Sequence, residues 1–255
     1  MRTFLGSILA LVLATPWLHA EDVSLLARKL TSSDNEERRR AATELGELGK
    51  EAKPALPALI QATKDQDRYV RRFVAQAIGA IGPDAKDAVP ALSDLLADEK
   101  PQVREAAVKA LGKMGPAAIP ALNKALNGPS DIHEPAIVAL AAAGPEGLPG
   151  LTKVLTNGKV PAQLRRKAIE VLPKNDSARA ALPSLLEVIK GQARGQQDRL
   201  LRLDAITAVG RIGNASDSMA IATLEEVANN ENLRDNQLKT LSRKALTAIK
   251  KRKTT

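Results

Sequence analysis

Seven residues that are basic, or can become so, recur along this chain: Arg38, Arg71, Arg104, His133, Arg165, Arg202 and Lys239, at intervals of 33, 33, 29, 32, 37 and 37 residues. A guanidinium presents a planar set of donors that fits phosphate or carboxylate in bidentate fashion, so an evenly spaced ladder could grip a polyanion with one contact per interval. Asp65 and Asp98 stand six residues before Arg71 and Arg104, with Asn127 in the same place before His133. The ladder could therefore also be neutralised from within the chain. A second set lies one step around from it. Glu105, Lys109 and Lys113 are spaced i, i+4, i+8, and their equivalents are Arg39, Arg72, Glu134, Arg166 and Leu203, then Thr43, Gln76, Val138, Glu170 and Thr207. A ridge of mixed sign suits a protein or peptide of matching pattern better than a uniform polyanion. Arg39, Arg72, Gln76, Glu105, Lys109, Arg166 and Glu170 are its candidate partner-binding residues, an ordinary solvated face being the alternative reading.

Other chemistry is thinly supplied. There is no Cys, which excludes disulfides, thiolate metal sites and a Cys nucleophile. The two His are His19 and His133, so a His-based zinc site or a Ser-His-Asp arrangement would have to be built around very few imidazoles. No glycine-rich phosphate loop, paired-His metal motif or Gly-x-Ser-x-Gly turn occurs. The expectation is a non-enzyme without cofactor or metal. Beyond Phe4 and Trp17 of the N-terminal run, only Tyr69 and Phe73 could stack on a base, so specific nucleic-acid binding is not expected.

The intervals come from an internal repeat. Residues 35–49, 68–82 and 101–115 superpose without gaps, each ending in a pair of glycines three apart: Gly46 and Gly49, Gly79 and Gly82, Gly112 and Gly115. Weaker copies end at Gly144, Asp176 and Gly213, and a last one runs into Lys250. Between them a second piece recurs around Pro57, Pro90, Pro120, Pro149 and Pro183, each preceded by an aliphatic residue. Val103, Ala107, Ala110, Leu111 and Met114 follow the stripe of an amphipathic helix, and Gly115 is placed to end it in a left-handed residue. The recurring prolines require helices that start or kink at them. With 44% apolar but only 2% aromatic residues, the core must be Ala, Leu, Ile and Val.

Both ends differ from the body. Met1-Arg2, an apolar run over residues 4–18 and the ending Leu18-His19-Ala20 have the form of a signal peptide cleaved after Ala20, the run being short for a membrane span and broken by Pro16. Export to the periplasm, cell envelope or exterior is the expectation. Of the 37 bases after Ala20, seven lie between Lys239 and Lys253 with no acid among them, leaving 30 bases against 29 acids in the body. Lys250, Lys251, Arg252 and Lys253 could attach the chain to an anionic surface.

The two-part pieces resemble the HEAT-repeat family, in particular its short, phycobilin-lyase-like members, over about residues 22–250. The resemblance implies an all-α solenoid of about seven two-helix repeats, with second helices on the concave side and proline-bearing first helices on the convex side. Ser24 and Ala222 stand where the proline would fall in the first and last units, as expected of atypical terminal repeats. In similar proteins such Asp and Arg residues pair between adjacent units, which implies a structural ladder of Arg38, Arg71, Arg104, Arg165 and Arg202 with Asp65 and Asp98. The domain plan is a signal peptide over residues 1–20, a solenoid over 21–250 and a basic tail over 251–255. The function expected is a non-catalytic protein-binding or scaffolding module acting through its concave face. An accessory lyase-like enzyme, or tail attachment to anionic lipid, cell-wall polymer or nucleic acid, are the alternatives.

Overall fold

The computed structural model describes residues 16–173, 175–191 and 195–252. The greater part of the apolar N-terminal run, and Lys253 of the basic tail, lie outside the described residues. Fourteen α-helices and no strands are found among the described residues. They alternate as first helices, α1 (Pro16–Lys29), α3 (Leu56–Ala62), α5 (Val89–Leu95), α7 (Ile119–Ala125), α9 (Leu148–Thr156), α11 (Leu182–Lys190) and α13 (Ser218–Asn229), and second helices. The second helices are α2 (Asn35–Leu48), α4 (Arg68–Ile81), α6 (Pro101–Gly112), α8 (His133–Ala142), α10 (Ala162–Glu170), α12 (Gln196–Ile212) and α14 (Asn236–Lys251). Each helix packs on its partner and on the adjacent unit, an all-α solenoid of seven two-helix repeats. No helix among the described residues is long and apolar enough to cross a membrane.

Local chemistry sets the helix starts. Pro57, Pro90, Pro120, Pro149 and Pro183 each occupy the second position of their helix, where the missing N–H costs nothing, so the first helices start at the prolines. Asp34, Asp67 and Asp235 cap α2, α4 and α14, accepting from backbone N–H groups of the first turn. Gly115 has the positive φ expected of it (66°), but α6 stops earlier, at Gly112, with Lys113 as its cap. Gly49 and Gly82 adopt positive φ (56° and 77°), but their ψ values of −122° and −143° belong to the mirror of the extended region, not to left-handed helix. That conformation is open essentially only to glycine, and it turns the chain into a short 3-10 segment leading to the next first helix.

The core is a continuous seam of small aliphatic side chains. Val103, Ala107, Leu111 and Met114 are all at most 2% exposed. At Gly79, Gly112 and Gly210, three residues before Gly82, Gly115 and Gly213, glycine has a different task. A Cβ on Gly79 would lie 2.9 Å from the Cα of Ala110, one on Gly112 2.9 Å from the Cβ of Ala139, and one on Gly210 2.9 Å from the Cβ of Ala245. Successive second helices thus meet backbone to backbone, and the inner layer is drawn tighter than side chains would allow.

Candidate functional site

A groove of about 1170 Å³ crosses the inner layer over α4, α6, α8 and the start of α10. Its floor is the glycine and alanine crossing just described, with Gly79, Ala106, Ala110, Gly112, Ala139 and Ala142. Because these side chains are so short, the longer ones on the neighbouring turns stand up as walls: Arg72, Gln76, Glu105, Lys109, Lys113 and Glu134. Val138 stands in the middle, 45% exposed, one of few large apolar side chains left open to solvent. The groove continues toward the N-terminus past Arg39, Thr43, Tyr69 and Phe73, and toward the C-terminus past Arg166, Glu170, Asp204 and Thr207.

The partner-binding candidates therefore share one face, but they differ in how free they are. Gln76 is exposed. Glu105 and Lys109 pair with each other at 2.6 Å on the surface, an i, i+4 contact worth about 0.3–0.5 kcal/mol. Arg166 pairs with Asp204 at 2.6 Å, and Glu170 with Lys167 at 3.1 Å. Arg39 is held on both sides by Glu36 and Asp67 and lies 4.7 Å from the Tyr69 ring. The Arg39 guanidinium holds the Asp67 carboxyl down to about 2, against an opposing effect of burial, with the backbone N–H groups of Val70 and Tyr69 adding to it. In α12 the ridge differs from the pattern: Leu203 is 6% exposed, and Asp204 takes the groove position. The register itself is unchanged there: Arg202 reaches a carbonyl as Arg165 does, and Gly210 meets the next second helix as Gly112 does.

The ladder has a different geometry. Arg38 donates to Asp65 through Nε (2.7 Å) and Nη2 (3.0 Å), and Arg71 to Asp98 in the same way, 2.7 and 3.0 Å. Arg104 reaches Asp131 at 3.0 and 2.9 Å. Each arginine thus holds a carboxylate of the following unit. The same arginines also turn an Nη1 to a carbonyl six residues back, on Ser32, Asp65 and Asp98. Asn127 lacks the carboxylate, and Asp131, in a 3-10 turn of the shortened fourth unit, supplies it. The spacing could have marked it: Asp65, Asp98 and Asp131 are 33 residues apart, and each stands 27 residues after the arginine that holds it.

Arg165 and Arg202 depart from the expected pairing with an aspartate. Arg165 donates to the Leu155 carbonyl at 2.7 Å and Arg202 to the Ile189 carbonyl at 3.0 Å, each at the carboxyl end of the preceding first helix, where a cation meets the helix dipole. Burial lowers the Arg202 pKa from its ordinary value. His133 makes the corresponding contact to the Gly128 carbonyl, and at the last unit Arg243, not Lys239, reaches the Ala228 carbonyl. The carboxylate pairing of the C-terminal half moves to Arg166–Asp204, Arg179–Asp217 and Arg199–Asp235.

The basic tail is also partly committed. The last helix runs through Lys251, past the expected boundary; Lys250 pairs with Glu225 at 2.9 Å, and Arg252 donates to the Gly213 carbonyl at 2.9 Å. Lys251 is exposed. Among the described residues, no three His, Asp or Glu side chains are grouped as metal ligands.

Sequence reasoning weighed Tyr69 and Phe73 only as possible base-stacking groups and missed their place beside the groove. Tyr69 and Phe73 lie i, i+4 on α4, Phe73 half-buried against the edge of the aliphatic core, with the guanidinium of Arg68 4.7 Å from the Tyr69 ring centre and that of Arg72 4.7 Å from Phe73. The signal was available: two aromatics at helical spacing, interleaved with Arg68 and Arg72, in a chain whose core uses none.

The family model for HEAT repeats matches residues 23–86 and 56–142. Among solved structures, Kap121p bound to Nup53p is similar at 14% identity and a TM-score of 0.55, covering 91% of this chain and 29% of that one. Importin beta is similar at 18% identity and a TM-score of 0.50, over 98% of this chain and 37% of its own. The complex of CpcE and CpcF of phycocyanin lyase from Nostoc sp. PCC7120 is 22% identical over 98% of this chain and 99% of that one, with a TM-score of 0.48. No curated protein matches the chain.

Proposed function

We propose that this chain, which belongs to the HEAT-repeat family, is a non-catalytic module exported to the periplasm or cell envelope that binds an extended segment of a protein partner in its inner groove. The observation that carries the reading is the exposed Val138 in the middle of a groove with a floor of small apolar residues and walls of both signs. An extended peptide needs that combination: an apolar seat for one or two anchors, and polar walls that fix register and reject poorly matched partners. Export rests on the basic, apolar and small-residue order of residues 1–20. The fold supports the same role elsewhere, Kap121p being seen bound to Nup53p.

A photo-crosslinking residue placed at Val138 tests the reading, with Met219, 67% exposed on the outer layer, as control. In intact cells a discrete adduct is expected from position 138 and not from 219. Equal labelling from both positions, or none from 138, refutes a groove function. Sequencing of the mature N-terminus tests export, with Glu21 as the expected first residue.

A further inference from the structure

We propose that the small cleft where α4 meets the start of α6 is a carboxylate pocket, and that the segment bound in the groove carries an acidic side chain there and an apolar one over Val138. This rests on the groove reading and specifies its partner. The cleft, about 180 Å³, is lined by Arg68, Tyr69, Arg72, Lys100, Gln102 and Val103: three cations, two polar side chains and no acid. A liquid water occupies about 30 Å³, so the space fits one side-chain carboxylate with part of its stem.

The cations there are not matched from within the chain. Asp67 is taken by Arg39 and by the cap of α4, and Asp98 by Arg71 and the Lys100 N–H. Glu99 is 71% exposed and approaches Lys100 no closer than 3.7 Å, a surface contact of little energy. Arg68 is engaged by the neutral Tyr69 hydroxyl at 2.8 Å. Arg72 rests on aromatic faces, 4.7 Å from Phe73 and 5.9 Å from Tyr69, and its buried Nε has no hydrogen-bond partner. Like charges at i, i+4 repel, so Arg68 and Arg72 side by side on α4 are a local conflict that an anion between them would remove. The first turn of α6 bears no acid, so its helix dipole adds to the positive field without opposition.

Spacing follows from the fold. Arg72 and Val138 line one groove from α4 and α8, two helices apart. At about 8–10 Å per helix pair the separation is roughly 16–20 Å, which an extended chain at about 3.3 Å per residue covers in about six residues.

The probe is a fluorescein-labelled peptide with two glutamates and, about six residues on, two leucines, joined by Ser and Gly, together with its reversed sequence and the glutamine analogue of each. Fluorescence anisotropy with the purified protein should show binding by one of the two directions. The glutamine analogue should bind about tenfold or more weakly, and so should the Arg68→Ala/Arg72→Ala variant, an effect of the size of one charge-assisted contact. Val138→Asp should lose binding, and raising salt should weaken it. Equal binding of the glutamine analogue, indifference of the arginine double variant, or no binding in either direction overturns the carboxylate pocket. The crosslink from position 138 is read separately: an adduct that persists when Arg68 and Arg72 are replaced sinks the pocket and leaves the groove function standing, whereas loss of the adduct in the wild-type chain sinks both. Folding of each variant is checked by its far-ultraviolet dichroism, and the Arg68→Lys/Arg72→Lys variant, which keeps the charge, should retain most of the binding.

Discussion

Gly79→Ala and Gly46→Ala should have opposite consequences although both replace a glycine inside a second helix. Either change removes the conformational cost of glycine in a helix, a gain of about 0.5–1 kcal/mol. At position 46 the new methyl meets Ala77 at 3.6 Å, ordinary contact, so the gain should persist. At position 79 it would lie 2.9 Å from the Ala110 Cα and 3.0 Å from its Cβ, and the Cα is a backbone atom that cannot rotate away. Overpacking of this kind costs about 1–3 kcal/mol, so the two variants should differ by about that much. Gly112→Ala is the intermediate case: the atom it meets at 2.9 Å is the Ala139 methyl, with the Cα at 3.3 Å, so Ala139→Gly should recover much of the loss. Urea unfolding followed by dichroism gives the comparison. Native-state hydrogen exchange shows whether the loss is local to α4 and α6, as a stack with neighbour-only contacts requires. Since Gly79 and Ala110 also form the groove floor, the destabilising variant should bind partner less well. If Gly46→Ala and Gly79→Ala shift stability equally, close approach of the inner helices is not what fixes this layer.

Leu111→Ala, at a site fully excluded from solvent, should cost about 2–5 kcal/mol in urea titrations, while Lys109→Ala on the groove wall should stay within about 0.5. Asp65→Ala should cost about 3 kcal/mol because it strands Arg38, 5% exposed, without its carboxylate, whereas Asp84→Ala, whose pair with Lys53 is open to water, should change stability little. Asp67 titrates near 2 in the folded chain against an ordinary value of 3.8, so its contribution, about 1–2 kcal/mol after screening at the partly exposed Arg39, is fully present above about pH 4 and is lost as pH falls through about 2. Thermal melts in acid should show that loss, and Arg39→Ala should remove most of it. Removing residues 250–255 should lower exchange protection in α13 and α14, because the Lys250–Glu225 and Arg252–Gly213 contacts go with them.

Local pattern along the chain was enough for the repeat, its two-helix unit, the prolines as helix starts and the small-aliphatic core, because each of these depends on periodicity and on the backbone limits of Pro and Gly. It also put Arg39, Arg72, Gln76, Glu105 and Lys109 on one face, since i, i+4 spacing within a helix and register between repeats suffice for that. The same spacing displays Asp131, 33 residues after Asp98 and 27 after Arg104. Two things were settled only by the folded stack. Gly46, Gly79 and Gly112 read as repeat markers, but their use depends on which atom of the next helix lies opposite. Leu203 is buried and Asp204 lines the groove although Arg202, Thr207 and Gly210 keep the register of the repeat, so only the neighbouring units decide which of the two adjacent side chains turns inward.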